Sequence, residues 1–190
     1  MKNRDNTELS NGIIENDFFY PAKLLPSGTL RIVLTTNCNF LCKYCFREGE
    51  REGGRTLSKS YITTVLKSAK KFGIKSVKLT GGEPLLYTDI LCLINEIKQL
   101  GIEYIDLTTN ASLLNEDLIT ELNNSKLNAI TLSLDSLIPK KISYLTGYKK
   151  PEKVLKNIEL ACRAFNGSIR LNWIVLKDNF DETDNIIKFC

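Results

Sequence analysis

Three cysteines, Cys38, Cys42 and Cys45, fall within eight residues of this 190-residue chain. The whole chain has six cysteines and no histidine, so the commonest general base and nitrogen ligand is absent. Thiolates bind zinc and iron–sulfur clusters strongly. The spacing therefore predicts metal chemistry at this segment, with three ligands where a closed metal site would have four.

Three interpretations of these thiols compete. A structural zinc site needs a fourth ligand, but Cys92 and Cys162 are expected on buried helix faces, and Cys190 is the last residue. Free thiols can instead pack as small apolar groups, although Lys43 and Arg47 make this segment a poor place for burial. The third interpretation is an iron–sulfur cluster held by three thiolates, which leaves one iron open to a ligand.

The rest of the chain alternates between strand-like and helix-like segments. Strands are predicted at 30–36, 75–80, 103–109, 129–136 and 168–176, and helices at 58–73, 88–100, 115–124, 151–165 and from about residue 182. This alternation predicts an α/β fold, a partial (β/α) barrel of about five to six parallel βα units. The cysteines, "GGEP" (81–84), "TTN" (108–110) and "SLD" (133–135) all follow strands, at the edge where such folds carry their chemistry.

Each predicted strand has one polar and one apolar phase. The polar phase contains Arg31, Thr35, Lys78, Thr80, Asp106, Thr108, Thr131, Ser133, Asp135, Arg170 and Asn172. Because helices must cover the apolar phase, we expect the polar phase to face inward. The basic residues Arg31, Lys78 and Arg170 would then suit an anionic ligand. The alternative is a half-exposed sheet whose polar face meets solvent.

Together these motifs resemble the radical S-adenosylmethionine (SAM) enzymes. "CNFLCKYC" matches their CxxxCxxC motif, and "LTGGEPLL", "LTTN" and "TLSLDS" follow in the same order. The resemblance covers residues 30–190 and implies a radical SAM core, an incomplete TIM-like barrel, with a [4Fe-4S] cluster on Cys38, Cys42 and Cys45. In that family the open iron binds SAM, and one electron cleaves it to a 5′-deoxyadenosyl radical that abstracts hydrogen from substrate. A reductant protein such as a flavodoxin or ferredoxin is an implied partner.

The resemblance also implies roles for residues outside the cysteine motif. Contacts to SAM are implied for Tyr44, Gly81, Gly82, Glu83 and Ser133. Within the family, the closest pattern is that of the GTP 3′,8-cyclases of molybdenum-cofactor biosynthesis (the MoaA type), which are lyases. In those enzymes the positions matching Arg31, Lys78, Thr108 and Arg170 contact the nucleotide. A small-molecule substrate, with GTP as its first candidate, is therefore implied.

The chain departs from the cyclase pattern at several points. Thr36-Asn37 stands where Asp-Arg is usual, Ala111 replaces a glycine, and "FRE" follows the third cysteine as in peptide-modifying radical enzymes. The second, C-terminal cluster of the cyclases has no matching cysteines here. We expect residues 29–190 to be a radical SAM core domain that is C-terminally incomplete. A peptide or other small-molecule substrate stays an alternative, as does a non-catalytic metal-binding module.

Composition limits the other classes of function. Residues 1–28 form a predicted polar leader without the apolar core of a signal peptide. No apolar run approaches the roughly 20 residues of a membrane span. The net charge of +4 comes with lysines scattered along predicted helices, unlike the clustered basic surface of a nucleic-acid-binding protein. These features predict a cytoplasmic protein without membrane or nucleic-acid partners.

Overall fold

A computed structural model of the chain describes residues 28–45 and 53–189. The predicted leader at 1–28 lies outside the described residues apart from Gly28, as do residues 46–52 and Cys190. The described part has five strands and six α-helices. In chain order they are β1 (Thr29–Val33), α1 (Lys59–Lys71), β2 (Ser76–Thr80), α2 (Ile90–Gln99), β3 (Tyr104–Thr109), α3 (Glu116–Asn124), β4 (Ala129–Ser133), α4 (Pro139–Thr146), α5 (Pro151–Ala164), β5 (Ser168–Asn172) and α6 (Thr183–Phe189), with 3₁₀ turns at Pro84–Leu86 and Phe180–Glu182.

The strands form one parallel sheet in the order β1-β2-β3-β4-β5. Each strand pairs with the next one in the chain, and at least one helix lies in every crossover. Because the five described strands do not close on themselves, the sheet is an open, partial β/α barrel. This arrangement confirms the predicted fold class.

The first and last strands are shorter than predicted. β1 ends at Val33 because the backbone that follows it also pairs with residues 55–57. The Leu57 N–H, for example, donates to the Leu34 carbonyl at 2.9 Å. β5 ends at Asn172, and two residues later the Ile174 N–H donates to a side chain, Asp135, at 3.1 Å. Both strands thus give way to loops at the carboxyl edge of the sheet.

The apolar phase of the central strands forms the core. Six of its side chains have no exposed surface: Val77, Leu79, Ile105, Leu107, Ile130 and Leu132. The helices supply the facing layer, and burial of each large aliphatic side chain contributes about 1.5–3 kcal/mol. The prediction that helices cover the apolar phase is confirmed. The polar phase is buried in the middle of the sheet, at Asp106 and Thr131, and exposed at its edge strands, at Arg31 and Arg170.

The prediction that Cys92 and Cys162 lie on buried helix faces was wrong, because both are exposed. On α2 the buried face is made by Ile90, Leu93, Ile94 and Ile97, which leaves position 92 at its border. There Lys59 Nζ lies 3.1 Å from Cys92 Sγ. On α5 the buried face ends with Ala161, one position before Cys162.

The helical region predicted after β4 is two helices. α4 ends at Thr146 and is followed by Gly147, whose φ of 66° is the left-handed conformation that terminates many helices. α5 then begins with Pro151, a residue favoured in a first helical turn because it has no N–H to leave unpaired. Among residues 28–45 and 53–189, every helix lacks the length and apolar character that a membrane span requires.

Candidate functional site

The loops at the carboxyl edge of the sheet enclose a cavity of about 320 Å³. Nine of the twelve residues predicted to bind the cluster, SAM or substrate line it: Arg31, Cys38, Cys42, Tyr44, Cys45, Gly81, Gly82, Thr108 and Ser133. Three others, Lys78, Glu83 and Arg170, do not. The fold therefore brings residues of all four sequence motifs to one cavity, but these three predicted SAM- or substrate-binding residues lie outside its wall.

The cysteine loop, residues 38–45, is attached on one side to the "TTN" loop that follows β3. The Asn110 amide donates to Asn39 Oδ1 at 2.9 Å, and the Asn39 amide donates to Ser112 Oγ at 2.7 Å. Ser112 Oγ in turn lies 2.6 Å from Asn110 Oδ1, which closes a ring of hydrogen bonds. These short amide and hydroxyl side chains thus fix the distance between the cysteine loop and the "TTN" loop.

On its other side the cysteine loop is attached to the end of α4. The Leu41 N–H donates to the Thr146 carbonyl at 2.7 Å, and the Lys43 N–H donates to the Leu145 carbonyl at 2.9 Å. These bonds use carbonyls that a helix end leaves without intrahelical partners. The loop is therefore fixed by main-chain contacts that do not depend on its side chains.

The thiols differ in exposure. Cys38 and Cys42 are half-buried, whereas Cys45 is exposed. Burial raises the pKa of Cys38, and burial with the nearby Cys38 and Asp135 charges raises the pKa of Cys42 to about 12. Such thiols stay protonated until a cation favours the thiolate.

The donor set of three thiols on one cavity fits an iron–sulfur cluster. Within residues 28–45 and 53–189, however, no three Cys, Asp or Glu groups converge closely enough to hold a single metal ion. Ligation by all three cysteines therefore stays a prediction.

The glycine pair of "GGEP" allows two loops to touch. A Cβ on Gly81 would lie 2.4 Å from the Thr35 carbonyl oxygen, and one on Gly82 would lie 2.4 Å from the Asn37 carbonyl oxygen. The Gly82 N–H donates to Thr35 and the Glu83 N–H to Asn37, both at 2.8 Å. Any larger residue would push this loop away from the segment that leads into the cysteine loop.

Glu83 lies beneath the cavity with no exposed surface. Its carboxylate accepts hydrogen bonds from the Thr109 hydroxyl at 2.7 Å, the Asn110 N–H at 2.8 Å and the Leu85 N–H at 3.0 Å. Burial raises the pKa of Glu83 to about 7, although the three donors act in the opposite direction. Both oxygens have internal partners, so the carboxylate joins the "GGEP" loop to the "TTN" loop.

Asp135 is a cavity residue to which the sequence pattern assigned no site role. It is 5% exposed, its Oδ2 accepts from the Tyr44 hydroxyl, and its Oδ1 accepts from the Ile174 N–H at 3.1 Å. Burial raises the pKa of Asp135 to about 6. Its place in "SLD", on the polar phase of the strand predicted at 129–136, was the available signal. The contact holds Tyr44, which lies between two of the cysteines, against the opposite wall.

A row of charged residues lies beneath the cavity on the polar face of the sheet. Lys78 Nζ is 3.4 Å and Arg170 Nη1 is 3.1 Å from Asp106 Oδ2, and the Thr131 hydroxyl donates to Asp106 at 2.9 Å. Two of the cations predicted to bind substrate are therefore in ion pairs. Thr108 lines the cavity above them, and its buried hydroxyl has no hydrogen-bond partner within the described part of the chain.

Comparison with known proteins gives a family and curated relatives. The family model described as Radical SAM superfamily matches residues 32–190. A probable GTP 3′,8-cyclase of Pyrococcus abyssi is 39% identical over 166 residues, which are 87% of this chain and 53% of the relative. A probable GTP 3′,8-cyclase of Sulfurisphaera tokodaii is 40% identical over 161 residues, 85% of this chain and 51% of the relative. The chain thus spans about half the length of these curated relatives.

A solved structure similar to this fold is Streptococcus suis SuiB. Its complex with S-adenosylmethionine has a TM-score of 0.73 and 28% sequence identity, over 85% of this chain and 37% of that chain. Its complex with the precursor peptide SuiA has the same TM-score and identity, over 85% of this chain and 36% of that chain. These similarities agree with the partial β/α barrel.

Proposed function

Because the chain belongs to the radical SAM superfamily, we propose that Cys38, Cys42 and Cys45 hold a [4Fe-4S] cluster and that the cavity binds SAM and a substrate. When bound, such a cluster supplies the electron that cleaves SAM to a 5′-deoxyadenosyl radical, which abstracts hydrogen from the substrate. The observation that carries the proposal is the meeting of the three thiols with Gly81 and Gly82 on one cavity.

The surrounding residues hold and shield this site. The cysteine loop is fixed by hydrogen bonds to the "TTN" loop and to the end of α4, which reduces the reorganisation needed when ligands bind. Tyr44, Gly81, Gly82 and Ser133 line the wall and are the proposed SAM contacts. Glu83 acts one layer further out, as a positioning residue that keeps the "GGEP" and "TTN" loops together.

GTP is the first substrate to test. The curated relatives are named probable GTP 3′,8-cyclases, and Arg31 and Thr108, which match nucleotide-contacting positions of that family, line the cavity. The Thr108 hydroxyl has no hydrogen-bond partner among residues 28–45 and 53–189, and a substrate would satisfy it. A lyase reaction on GTP is therefore the activity proposed, with a reductant protein such as a flavodoxin or ferredoxin as electron donor.

A peptide is the second candidate substrate. The SuiB structure with its precursor peptide aligns with 85% of this chain at 28% identity. GTP and a peptide differ in charge and size, so binding experiments with each ligand distinguish the two candidate substrates.

The test is anaerobic purification, reconstitution with iron and sulfide, reduction, and an assay for 5′-deoxyadenosine with SAM, in the presence and absence of GTP. We expect a four-iron cluster and 5′-deoxyadenosine from the wild type. Cys42→Ala should lose both, whereas Cys92→Ala, the same change at an exposed cysteine outside the cavity, should keep both. Zinc in place of a cluster would refute the proposal. Stimulation by GTP would support the cyclase reaction.

A further inference from the structure

The row beneath the cavity combines cations with a buried anion. Arg31, Lys78 and Asp106 are register partners on β1, β2 and β3, and Arg31 reaches the cavity wall. Asp106 is buried, with 7% of its side chain exposed, whereas Lys78 and Arg170 keep 33% and 50%. The Asp106 carboxylate is therefore shielded from solvent, whereas the side chains of Lys78 and Arg170 are accessible to it.

Arg170 is held from two directions. Its Nη1 contacts Asp106, its Nη2 donates to the Tyr104 hydroxyl at 2.6 Å, and its guanidinium carbon lies 5.5 Å from the centroid of the Tyr104 ring. Lys78 contacts the same Asp106 oxygen from the other side. An anionic ligand that approaches these two cations must compete with a carboxylate already bonded to both.

The buried carboxylate also acts on ligands that do not displace it. Asp106 and Thr108 lie on the same face of β3, two positions and therefore roughly 7 Å apart. This separation is shorter than the screening length of about 10 Å at ordinary salt. A negative charge that a substrate brings to Thr108 therefore lies within range of the Asp106 carboxylate, whose repulsion Lys78 and Arg170 offset in part.

We propose that Asp106 is a specificity-determining residue that disfavours a substrate in proportion to its negative charge. It forms internal ion pairs with Lys78 and Arg170. A neutral substrate leaves those pairs intact, whereas the phosphates of a nucleotide such as GTP would reach Lys78 and Arg170 only in competition with Asp106, at a cost in affinity. The inference rests on the proposed function only in taking the cavity as the substrate site.

The test compares a polyanion with a neutral ligand on the reconstituted chain. Dissociation constants of tripolyphosphate and guanosine are measured by calorimetry for the wild type, Asp106→Asn and Asp106→Ser. Asp117→Asn removes the same charge from an exposed position on α3 and is the matched control. Circular dichroism and thermal melting establish which variants are folded, and the serine variant keeps a hydroxyl to pair with Thr131.

We expect either Asp106 variant to bind tripolyphosphate about tenfold or more tightly than the wild type, the scale of one charge interaction across a few ångströms in a partly buried site. Affinity for guanosine and all affinities of Asp117→Asn should stay unchanged. Unchanged or weaker tripolyphosphate binding in the folded Asp106 variants would overturn the proposal. This outcome is separable from failure of the proposed function, which cluster assembly and 5′-deoxyadenosine formation report in the wild type.

Discussion

Replacing Glu83 with glutamine should remove a pH-dependent part of the stability of this fold. The carboxyl is fully buried, and burial raises its pKa from 4.5 to about 7. The folded protein therefore binds this proton more tightly than the unfolded chain does. Its contribution to stability is fully present below about pH 4.5 and is lost as the pH rises through about 7.

The size of the effect follows from the two pKa values. The difference between 4.5 and about 7 corresponds to about 3 kcal/mol of unfolding free energy. Glutamine has nearly the same shape but does not titrate in this range. Its NH₂ group would face a donor, either the Asn110 N–H or the Thr109 hydroxyl, and leaving such a buried donor unpaired costs about 1–3 kcal/mol. The two proteins should therefore differ most in acid and least above about pH 7.

The assay is urea unfolding of the metal-free protein, followed by far-ultraviolet circular dichroism from about pH 4.5 to about pH 8. The difference in unfolding free energy between the wild type and Glu83→Gln should shrink steadily across this range. Glu182→Gln is the matched control, because Glu182 is also buried and lies outside the cavity wall. That variant should retain the pH-dependent segment. A wild-type to Glu83→Gln difference that stays constant with pH would refute the reasoning.

Three further substitutions test other parts of the structure. Cys38→Ala should abolish iron and sulfide binding after reconstitution while Cys162→Ala keeps it, and equal loss in both variants would contradict the assignment. Gly82→Ala should lower unfolding free energy by roughly 1–3 kcal/mol, because its Cβ would meet the Asn37 carbonyl oxygen at 2.4 Å, and an unchanged urea midpoint would contradict that packing. Lys126→Gly should raise the melting temperature and stabilise the fold by about 1 kcal/mol. The reason is that Lys126 is exposed with a φ of 58°, a conformation that glycine adopts without strain. A lower melting temperature would contradict this prediction and would show that the lysine side chain has a compensating contact.

Local patterns were sufficient to predict the order of strands and helices. Alternation of strand-like and helix-like segments specifies βα units, and the two phases of each strand specify which face the helices cover. Motifs that follow consecutive parallel strands must meet at one edge, so the grouping of Cys38, Gly81, Thr108 and Ser133 followed from order alone.

Features that depend on non-local pairing were not predictable in this way. Strand phase placed Lys78, Asp106 and Arg170 on one face, but their ion pairs depend on the register between strands, which sequence periodicity does not specify. The burial of Glu83 depends on donors in the "TTN" loop, which follows a different strand. The exposure of Cys92 and Cys162 depends on how far each helix is rotated about its axis, because both residues lie next to the buried face.

The attachment of the cysteine loop to α4 has a consequence for the order of folding. Because each strand pairs with the strand made just before it, the sheet can grow in the direction of synthesis, one βα unit after another. The cysteine loop is made first, but the Leu145 and Thr146 carbonyls that fix it emerge only after three more strands have formed. Closing so long a chain segment carries an entropy cost that only later packing repays. The cysteine loop is thus expected to reach its final conformation late. The proposed cluster should then assemble after, not during, the formation of most of the sheet.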